Sequence, residues 1–158
     1  MILYHGSNVA IDAIDLQCSN VGKDFGCGFY LTASREQAER MGHRKVRLYG
    51  GQIVVSAFEF DEKAAQEAGL NLKFYASYSR EWAEFILANR KNDTHTQIHD
   101  FDIVHGPIAN DDVGFQIRRL LAGIISMETF LDELKYKEGI TYQYFFGTEQ
   151  AIRFLKKI

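Results

Sequence analysis

The stretch DFGCGFYLTASREQA, residues 24–38, decides the fold prediction because it places a tyrosine between a glycine turn and a helix start. Residues 28–32 are rich in aromatic and β-prone side chains, which favours a strand. Ser34 and Gln37 follow with the Ser-x-x-Gln spacing, in which each side chain satisfies a free backbone N–H at a helix start. The stretch therefore predicts a strand, a turn and then a helix over residues 35–42.

Outward from this stretch, short β-prone runs alternate irregularly with amphipathic helical patterns. Further strands are predicted at residues 1–5, 45–48, 52–60, 102–105 and 140–146. Further helices are predicted to start at Ser79, at Asp111 or Asp112, at Ser126 and at Thr148, the last of them carrying Ile152 and Leu155. The order lacks the strand–helix–strand rhythm of a parallel sheet, so we predict an α+β fold in a single domain spanning residues 1–158.

Composition indicates a globular chain with a substantial core. The chain has 158 residues, of which 46% are hydrophobic and 25% charged, and a net charge of -3. The net charge gives no general reason to expect binding to a phosphate backbone. A local basic groove formed by residues 40–47 of the chain, with Arg40, Arg44, Lys45 and Arg47, stays open as a nucleic-acid contact.

The cysteines, the histidines and the hydropathy of the sequence predict the cellular location, metal binding and membrane association of the protein. Cys18 and Cys27 cannot form a disulfide framework or a paired zinc motif, which favours a cytoplasmic location. His95 and His99 have a spacing that would bind a metal on a helix, but the surrounding sequence is rich in turn residues, so we expect no metal. Nothing approaches the run of about 18 apolar residues that crosses a membrane, so we expect no membrane association.

Three segments together resemble a known enzyme family. LYHGS at 3–7, DFGCGFYLT at 24–32 and TYQYFF at 141–146 resemble, in order, the signature segments of the ADP-ribosyltransferases. The layout is most similar to the histidine–tyrosine branch, which includes diphtheria toxin and the poly(ADP-ribose) polymerases. With DIVHGPIANDD at 102–112 and QYFFGTEQAIRFL at 143–155, the chain is also similar to a bacterial domain family over almost its whole length.

The resemblance implies a fold, a co-substrate and a set of binding residues. The fold would be an ADP-ribosyltransferase-like one, with mixed, mostly antiparallel split β-sheets and flanking helices, and NAD would be the co-substrate. His5 would bind a ribose hydroxyl of the adenosine part, Gly6 would present backbone groups to the nicotinamide carboxamide, and Tyr30 would stack on the nicotinamide ring. Met41 stands where the family often has a second stacking tyrosine. The residues implied for NAD binding are His5, Gly6, Ser7, Gly28, Tyr30 and Met41.

The third segment departs from the polymerase pattern at the residue that matters for catalysis. Gln143 replaces a glutamate that binds the nicotinamide ribose and stabilises the positive charge formed when nicotinamide leaves. An amide can still hydrogen-bond the ribose, but losing one preorganised charge costs on the order of a hundredfold to a thousandfold in rate. The catalytic residues implied are Gln143, Tyr30 and His5. Acids that could supply the missing charge are Glu149, Glu59, Asp61, Asp102, Asp111 and Asp112.

The resemblance thus implies an enzyme, an NAD-dependent mono-ADP-ribosyltransferase that transfers ADP-ribose to a macromolecular acceptor, either protein or nucleic acid. A bacterial toxin or defence enzyme, with an antitoxin as partner, is the setting this suggests. Three alternatives stay open: a non-catalytic module that binds NAD or ADP-ribose, an NAD glycohydrolase, and an unrelated interaction domain that binds no NAD.

Overall fold

A computed structural model describes residues 1–158 and contains two β-sheets with flanking helices. The strands are β1 (Ile2–Ser7), β2 (Phe29–Leu31), β3 (Val54–Phe60), β4 (Leu72–Phe74), β5 (Ile103–Pro107), β6 (Tyr142–Phe146) and β7 (Leu155–Lys157). The α-helices are α1 (Arg35–Tyr49), α2 (Glu62–Glu67), α3 (Arg80–Lys91), α4 (Asp111–Leu121), α5 (Met127–Leu134) and α6 (Glu149–Ile152). A single 3₁₀ turn spans Leu16–Cys18. The predicted α+β class is confirmed.

The two sheets meet where β1 lies beside β2. The three-stranded sheet has the order β1-β3-β7 and is antiparallel throughout, whereas the four-stranded sheet has the order β2-β6-β5-β4 and is antiparallel except between β4 and β5. Tyr4 and Thr32 join the sheets through two backbone hydrogen bonds, of 2.7 Å and 2.9 Å between N and O. This bridge brings the histidine of the first segment next to the tyrosine of the second.

The four-stranded sheet separates two apolar cores because successive side chains of a strand point to opposite faces. On one face, which we call the inter-sheet face, Phe29 and Phe146 pack with Phe58 and Phe60 of β3. On the other, the helix face, Tyr30, Val104 and Phe145 lie under helices α3, α4 and α5. The fully buried helix side chains there include Trp82, Ile86, Ile117 and Phe130.

Helix α1 packs unusually close to β1 because glycines stand at the contact. A β-carbon on Gly6 would lie 1.7 Å from the carbonyl oxygen of Ala38, and one on Gly42 would lie 2.8 Å from Ile53 Cγ2. Backbone therefore meets backbone where α1 crosses β1. Gly6 therefore allows α1 to pack closely against β1, because a side chain there would overlap the helix backbone.

Local capping signals predicted several helix starts well. Ser34, Ser79, Ser126 and Thr148 each accept a hydrogen bond from the backbone N–H three residues on, so all four predicted caps are confirmed. The cap of α4 was predicted one or two residues late. Asn110 fills that position, and its Oδ1 accepts from Val113 N at 3.1 Å, while Asp111 and Asp112 lie in the first turn.

Two other predictions are wrong where tertiary packing outweighs the local pattern. Residues 45–48 form the end of α1 instead of a strand, because that helix continues along β1 to Tyr49 and ends at Gly50, whose φ of 76° suits a glycine. Leu155 lies in β7 instead of the last helix, since α6 ends at Ile152 and the chain then pairs with β3.

The short elements α2 and β4 were not predicted at all. Asp61, one of the acids considered for catalysis, caps α2 by accepting a hydrogen bond from Ala64 N at 3.0 Å. β4 has only three residues and forms by parallel pairing with β5. No local sequence pattern predicts such a long-range contact. No helix has both the length and the apolar composition to cross a membrane.

We expect Gly6→Ala to destabilise the protein strongly, because the new methyl group would overlap the backbone of α1. The cost should exceed about 2 kcal/mol, at the upper end of overpacking effects. Gly114→Ala, inside α4, is the matched control, since a β-carbon there would meet nothing nearer than Arg118 Nη1 at 3.7 Å and the Ala109 carbonyl oxygen at 4.0 Å. That change should stabilise the helix by about 0.5–1 kcal/mol. Urea unfolding of both variants checks the contrast, and equal effects would contradict the close packing.

Candidate functional site

His5 lies at the junction of the two sheets with its ring in a fixed orientation. Its Nδ1 is 2.8 Å from the carbonyl oxygen of Tyr30, and its ring stacks on Phe29 with centroids 4.6 Å apart. Since a carbonyl only accepts, Nδ1 carries the proton and Nε2 is the acceptor. Burial, with a smaller contribution from the positive charges of Lys23 and Lys45, lowers the pKa of His5. A neutral imidazole with a free acceptor nitrogen suits a hydroxyl ligand.

Tyr30 is fixed at both ends of its side chain. Its hydroxyl donates to the Gly26 carbonyl at 2.7 Å and accepts from Phe25 N at 3.0 Å. Its ring packs edge-on against Phe145, with centroids 5.3 Å apart. Burial first, and the negative charge of Asp24 second, raise the pKa of Tyr30 well above its ordinary value. The phenol therefore stays neutral and acts as a structural clamp on the preceding loop.

The loop before β2, residues 22–28, folds over the helix face, and we call it the glycine loop. Gly26 has a φ of 96°, which a residue with a side chain would adopt only under strain. Phe25 is fully buried and packs above Gly106, where a β-carbon would lie 3.2 Å from the Phe25 ring. Much of the space beside Tyr30 is therefore filled by the protein's own aromatic side chain.

Lys23, also in the glycine loop, lies on the ring of Tyr30. Its Nζ is 5.1 Å from the ring centroid, a distance typical of a cation–π contact. Burial, and then repulsion from Lys45, lower the pKa of Lys23. A ligand that stacks on this ring must displace the ammonium. Because the lysine side chain is long and flexible, that displacement does not require the backbone to move.

The structure brings an acid to Gln143 that the sequence analysis missed. Asp24 Oδ2 lies 3.5 Å from Gln143 Nε2, and Asp24 Oδ1 accepts from Arg90 Nε at 2.7 Å. The side chains of Asp24 and Arg90 are 13% and 22% exposed, so this ion pair is largely shielded from water. One carboxylate oxygen is thus used by the arginine, and the other faces the amide of Gln143.

The acids named from the sequence lie elsewhere. Asp102 accepts from Thr148 Oγ1 at 2.6 Å and from Asn71 N at 2.8 Å, so it connects β5 to neighbouring segments. Asp111 and Asp112 form exposed ion pairs with Arg44 and Lys137. Glu149 is exposed in the first turn of α6, and Glu59 is exposed on β3. None of these acids has a hydrogen bond to Gln143.

The predicted site residues are brought together only in part. Tyr30 and Gln143 stand on neighbouring strands and share the helix face, where Asp24 lies close to both. His5 joins them through the backbone of Tyr30, with its ring against Phe29 on the inter-sheet face.

The other predicted binding residues have positions that packing explains. Gly28 is close-packed, since a β-carbon there would lie 2.3 Å from the Phe145 ring, and its N–H donates to Ser19 Oγ at 2.9 Å. Ser7 is buried at the end of β1, and Met41 is 46% exposed on α1. A ligand contact at Gly6, Ser7, Gly28 or Met41 stays a prediction.

One cavity of the molecule is separate from this chemistry. A cavity of about 620 Å³ is lined by Met1, Glu59, Phe60, Asp61, Glu62, Lys63, Phe154 and Lys156. It contains none of the residues around Tyr30. We place the candidate site at Tyr30 because titratable groups with shifted pKa values, namely Tyr30, Lys23 and His5, converge there.

Comparison with known families gives one match. A family model described as "Protein of unknown function (DUF3990)" matches residues 1–157. The chain belongs to this family. Comparison with curated proteins and with solved structures gave no match. In this DUF3990 member, Asp24, Tyr30 and Gln143 form the candidate site.

We expect Tyr30→Phe to destabilise the protein by about 1–3 kcal/mol, because the Gly26 carbonyl and the Phe25 amide would lose their buried partner. Tyr136→Phe is the control, since Tyr136 is 82% exposed and should lose nothing measurable. Thermal and urea unfolding compare the two. An equally small effect at both positions would show that the Tyr30 hydroxyl does not fix the glycine loop.

We also expect stability to fall as the pH drops below about 6.5, the ordinary value for histidine. Burial lowers the pKa values of His5, His99 and His105, so the unfolded chain binds protons first and is favoured by acid. The stabilisation is present above the unfolded pKa and is lost as the pH falls through the folded one. Unfolding free energies between pH 8 and 5 measure this. His99→Gln should flatten the profile, and the exposed control His43→Asn should not.

Proposed function

We propose that this protein is an NAD-dependent mono-ADP-ribosyltransferase that cleaves the nicotinamide glycosidic bond and transfers ADP-ribose to a macromolecular acceptor. The observation that carries the proposal is the approach of Asp24 Oδ2 to Gln143 Nε2, at 3.5 Å, on the sheet face that Tyr30 shares. The resemblance of the three sequence segments implies that Gln143 would bind the nicotinamide ribose and that Tyr30 would stack on the nicotinamide ring, and Asp24 lies close to both side chains.

The chemistry requires a negative charge near the ribose. As the bond to nicotinamide breaks, the sugar carbon gains the character of an oxocarbenium ion, which a nearby carboxylate stabilises. Asp24 supplies such a carboxylate, and the hydrogen bond from Arg90 Nε orients it. Gln143 can use its N–H on Asp24 and its carbonyl oxygen on a ribose hydroxyl. In this arrangement the charge resides on residue 24, and residue 143 positions the sugar.

This arrangement also explains why residue 143 is an amide. A glutamate there would face Asp24 across about the same distance, and two close carboxylates disfavour each other's ionised form. Glutamine is neutral and donates a hydrogen bond to the acid. The replacement of a family glutamate by Gln143 is thus matched by an acid from the glycine loop.

The nicotinamide end would use Tyr30 after Lys23 has moved away. The ring is clamped at its hydroxyl, so stacking on it would require little further ordering. The displaced ammonium would then be available to the negatively charged phosphates of the dinucleotide. His5, with a free acceptor nitrogen, would take a ribose hydroxyl of the adenosine part.

A second candidate is a non-catalytic module that binds NAD or ADP-ribose. The observations that favour it are the fully buried Phe25, which fills space beside Tyr30, and the Arg90 ion pair, which offsets part of the charge of Asp24. This candidate predicts binding without nicotinamide release. A toxin or defence role in a bacterial cytoplasm, with an antitoxin as partner, is likewise a proposal that rests on the sequence resemblance.

Nicotinamide release tests the proposal directly. Purified protein is incubated with NAD, with and without candidate protein and nucleic-acid acceptors, and nicotinamide is quantified chromatographically while NAD binding is followed by calorimetry. We expect Asp24→Asn to lower release on the order of a hundredfold to a thousandfold while NAD still binds. Asp132→Asn, a change at an exposed acid in α5, is the matched control and should leave release unchanged.

A charge swap sharpens the test. Adding Gln143→Glu to Asp24→Asn moves the carboxylate to the neighbouring side chain, and we expect it to restore part of the lost activity. Binding without release in every protein would favour the module, and free ADP-ribose as the sole product would favour the glycohydrolase. Absence of NAD binding would refute the proposal altogether.

A further inference from the structure

The sulfur of Cys27 lies among three polar neighbours at the rim of the glycine loop. His95 Nδ1 is 3.7 Å from Cys27 Sγ, and the carbonyl oxygens of Asn20 and Thr94 are 3.6 Å and 3.9 Å away. A thiol has one proton and can donate to only one of these neighbours. Of the three, the imidazole alone can accept that proton outright, since a carbonyl cannot be protonated near neutral pH.

The backbone on both sides of Cys27 is fixed, so the sulfur has a defined position. The Cys27 carbonyl accepts from Gln97 Nε2 at 3.0 Å, and Gly28 N donates to Ser19 Oγ at 2.9 Å. Cys27 is partly exposed and His95 is exposed, so a small reagent can reach the sulfur and the imidazole can pass its proton to water. A thiol beside histidine, partly open to solvent, is the setting in which cysteines become nucleophilic.

Cys18 provides a contrast within the same molecule. It is the more exposed of the two cysteines, and its sulfur donates to Asp15 Oδ2 at 3.3 Å. Accepting that hydrogen bond, the carboxylate raises the pKa of the Cys18 thiol. Exposure alone therefore predicts that Cys18 reacts first, whereas local chemistry predicts that Cys27 does.

We propose that Cys27 and His95 form a nucleophilic pair and that Cys27 is a covalent modification site for soft carbon electrophiles. Cys27 Sγ attacks the electrophilic carbon, a carbon–sulfur bond forms, and the leaving group departs with the electron pair of its broken bond. The thiol proton passes to His95 Nδ1 and then to water. With an α-haloamide the leaving group is halide, and no oxidant or reductant takes part. The site stands whether or not the protein turns over NAD.

Modification of Cys27 would alter the glycine loop, of which Cys27 is part. Cys27 lies between Gly26, whose carbonyl binds the Tyr30 hydroxyl, and Gly28, which is packed against Phe145 with no room for a β-carbon. An adduct on the sulfur would lie beside Asn20, Thr94 and His95, the present neighbours of Cys27 Sγ. The position makes Cys27 a point at which a reactive small molecule can alter the candidate site.

A competition between the two cysteines tests the proposal. The folded protein receives a short pulse of iodoacetamide at pH 7, and peptide mapping by mass spectrometry measures carbamidomethylation at each position. We expect Cys27 to react several-fold faster than Cys18, because His95 can take up the thiol proton of Cys27 whereas the carboxylate of Asp15 opposes a thiolate at Cys18. In guanidinium chloride the ratio should approach one, because both environments are lost.

Histidine variants test whether His95 is the cause of the faster reaction of Cys27. His95→Asn should slow Cys27 several-fold, leave Cys18 unchanged and make the Cys27 rate depend more steeply on pH between 6 and 8. His43→Asn, at an exposed histidine on α1, should change neither rate. An unaltered Cys18 rate also reports that the variant is folded. The proposal is overturned if Cys18 reacts as fast as Cys27 in the folded protein, or if His95→Asn leaves the ratio unchanged.

Discussion

The hydroxyl of Tyr30 is the interaction on which the candidate site depends. It binds a carbonyl and an amide of the glycine loop at once and so fixes that loop over the helix face of the four-stranded sheet. Phe25 is then buried in the core, Lys23 lies on the Tyr30 ring, and Asp24 is directed at Gln143. One buried phenol thus orders three successive side chains of different chemistry, because leaving its partners unsatisfied would be costly.

The ion pair between Asp24 and Arg90, beside Tyr30, adds little to the stability of the protein, but it fixes the positions of the two side chains. Removing two charges from water costs free energy that their attraction only partly returns, so a largely buried pair contributes little net stability. Asp24 and Arg90 nevertheless fix each other's geometry through their 2.7 Å hydrogen bond. The pair thus directs one oxygen of a shielded carboxylate at the Gln143 amide, which is the arrangement that the proposed reaction would use.

Local signals in the sequence predicted the fold class and most strands, and they located four helix caps, since a cap depends on residues three positions apart. The end of α1 and the position of Leu155 could not be predicted, because packing on β1 and pairing with β3 decide them. Asp24 was missed for the same kind of reason. It opens the stretch that decided the fold, yet its contact with Gln143 spans 119 positions of the chain, and no spacing rule connects the two.

The close crossing of α1 over β1 gives the two walls of the candidate site different mechanical properties. On the His5 side, backbone meets backbone at Gly6, and interdigitated glycines leave no slack for a sliding motion. On the opposite side, the loop that carries Lys23 and Asp24 is fastened to the last turn of α3 through Arg90. Binding of a large ligand would therefore require the glycine loop and the end of α3 to move together. Helix α1 and the two sheets would stay in place.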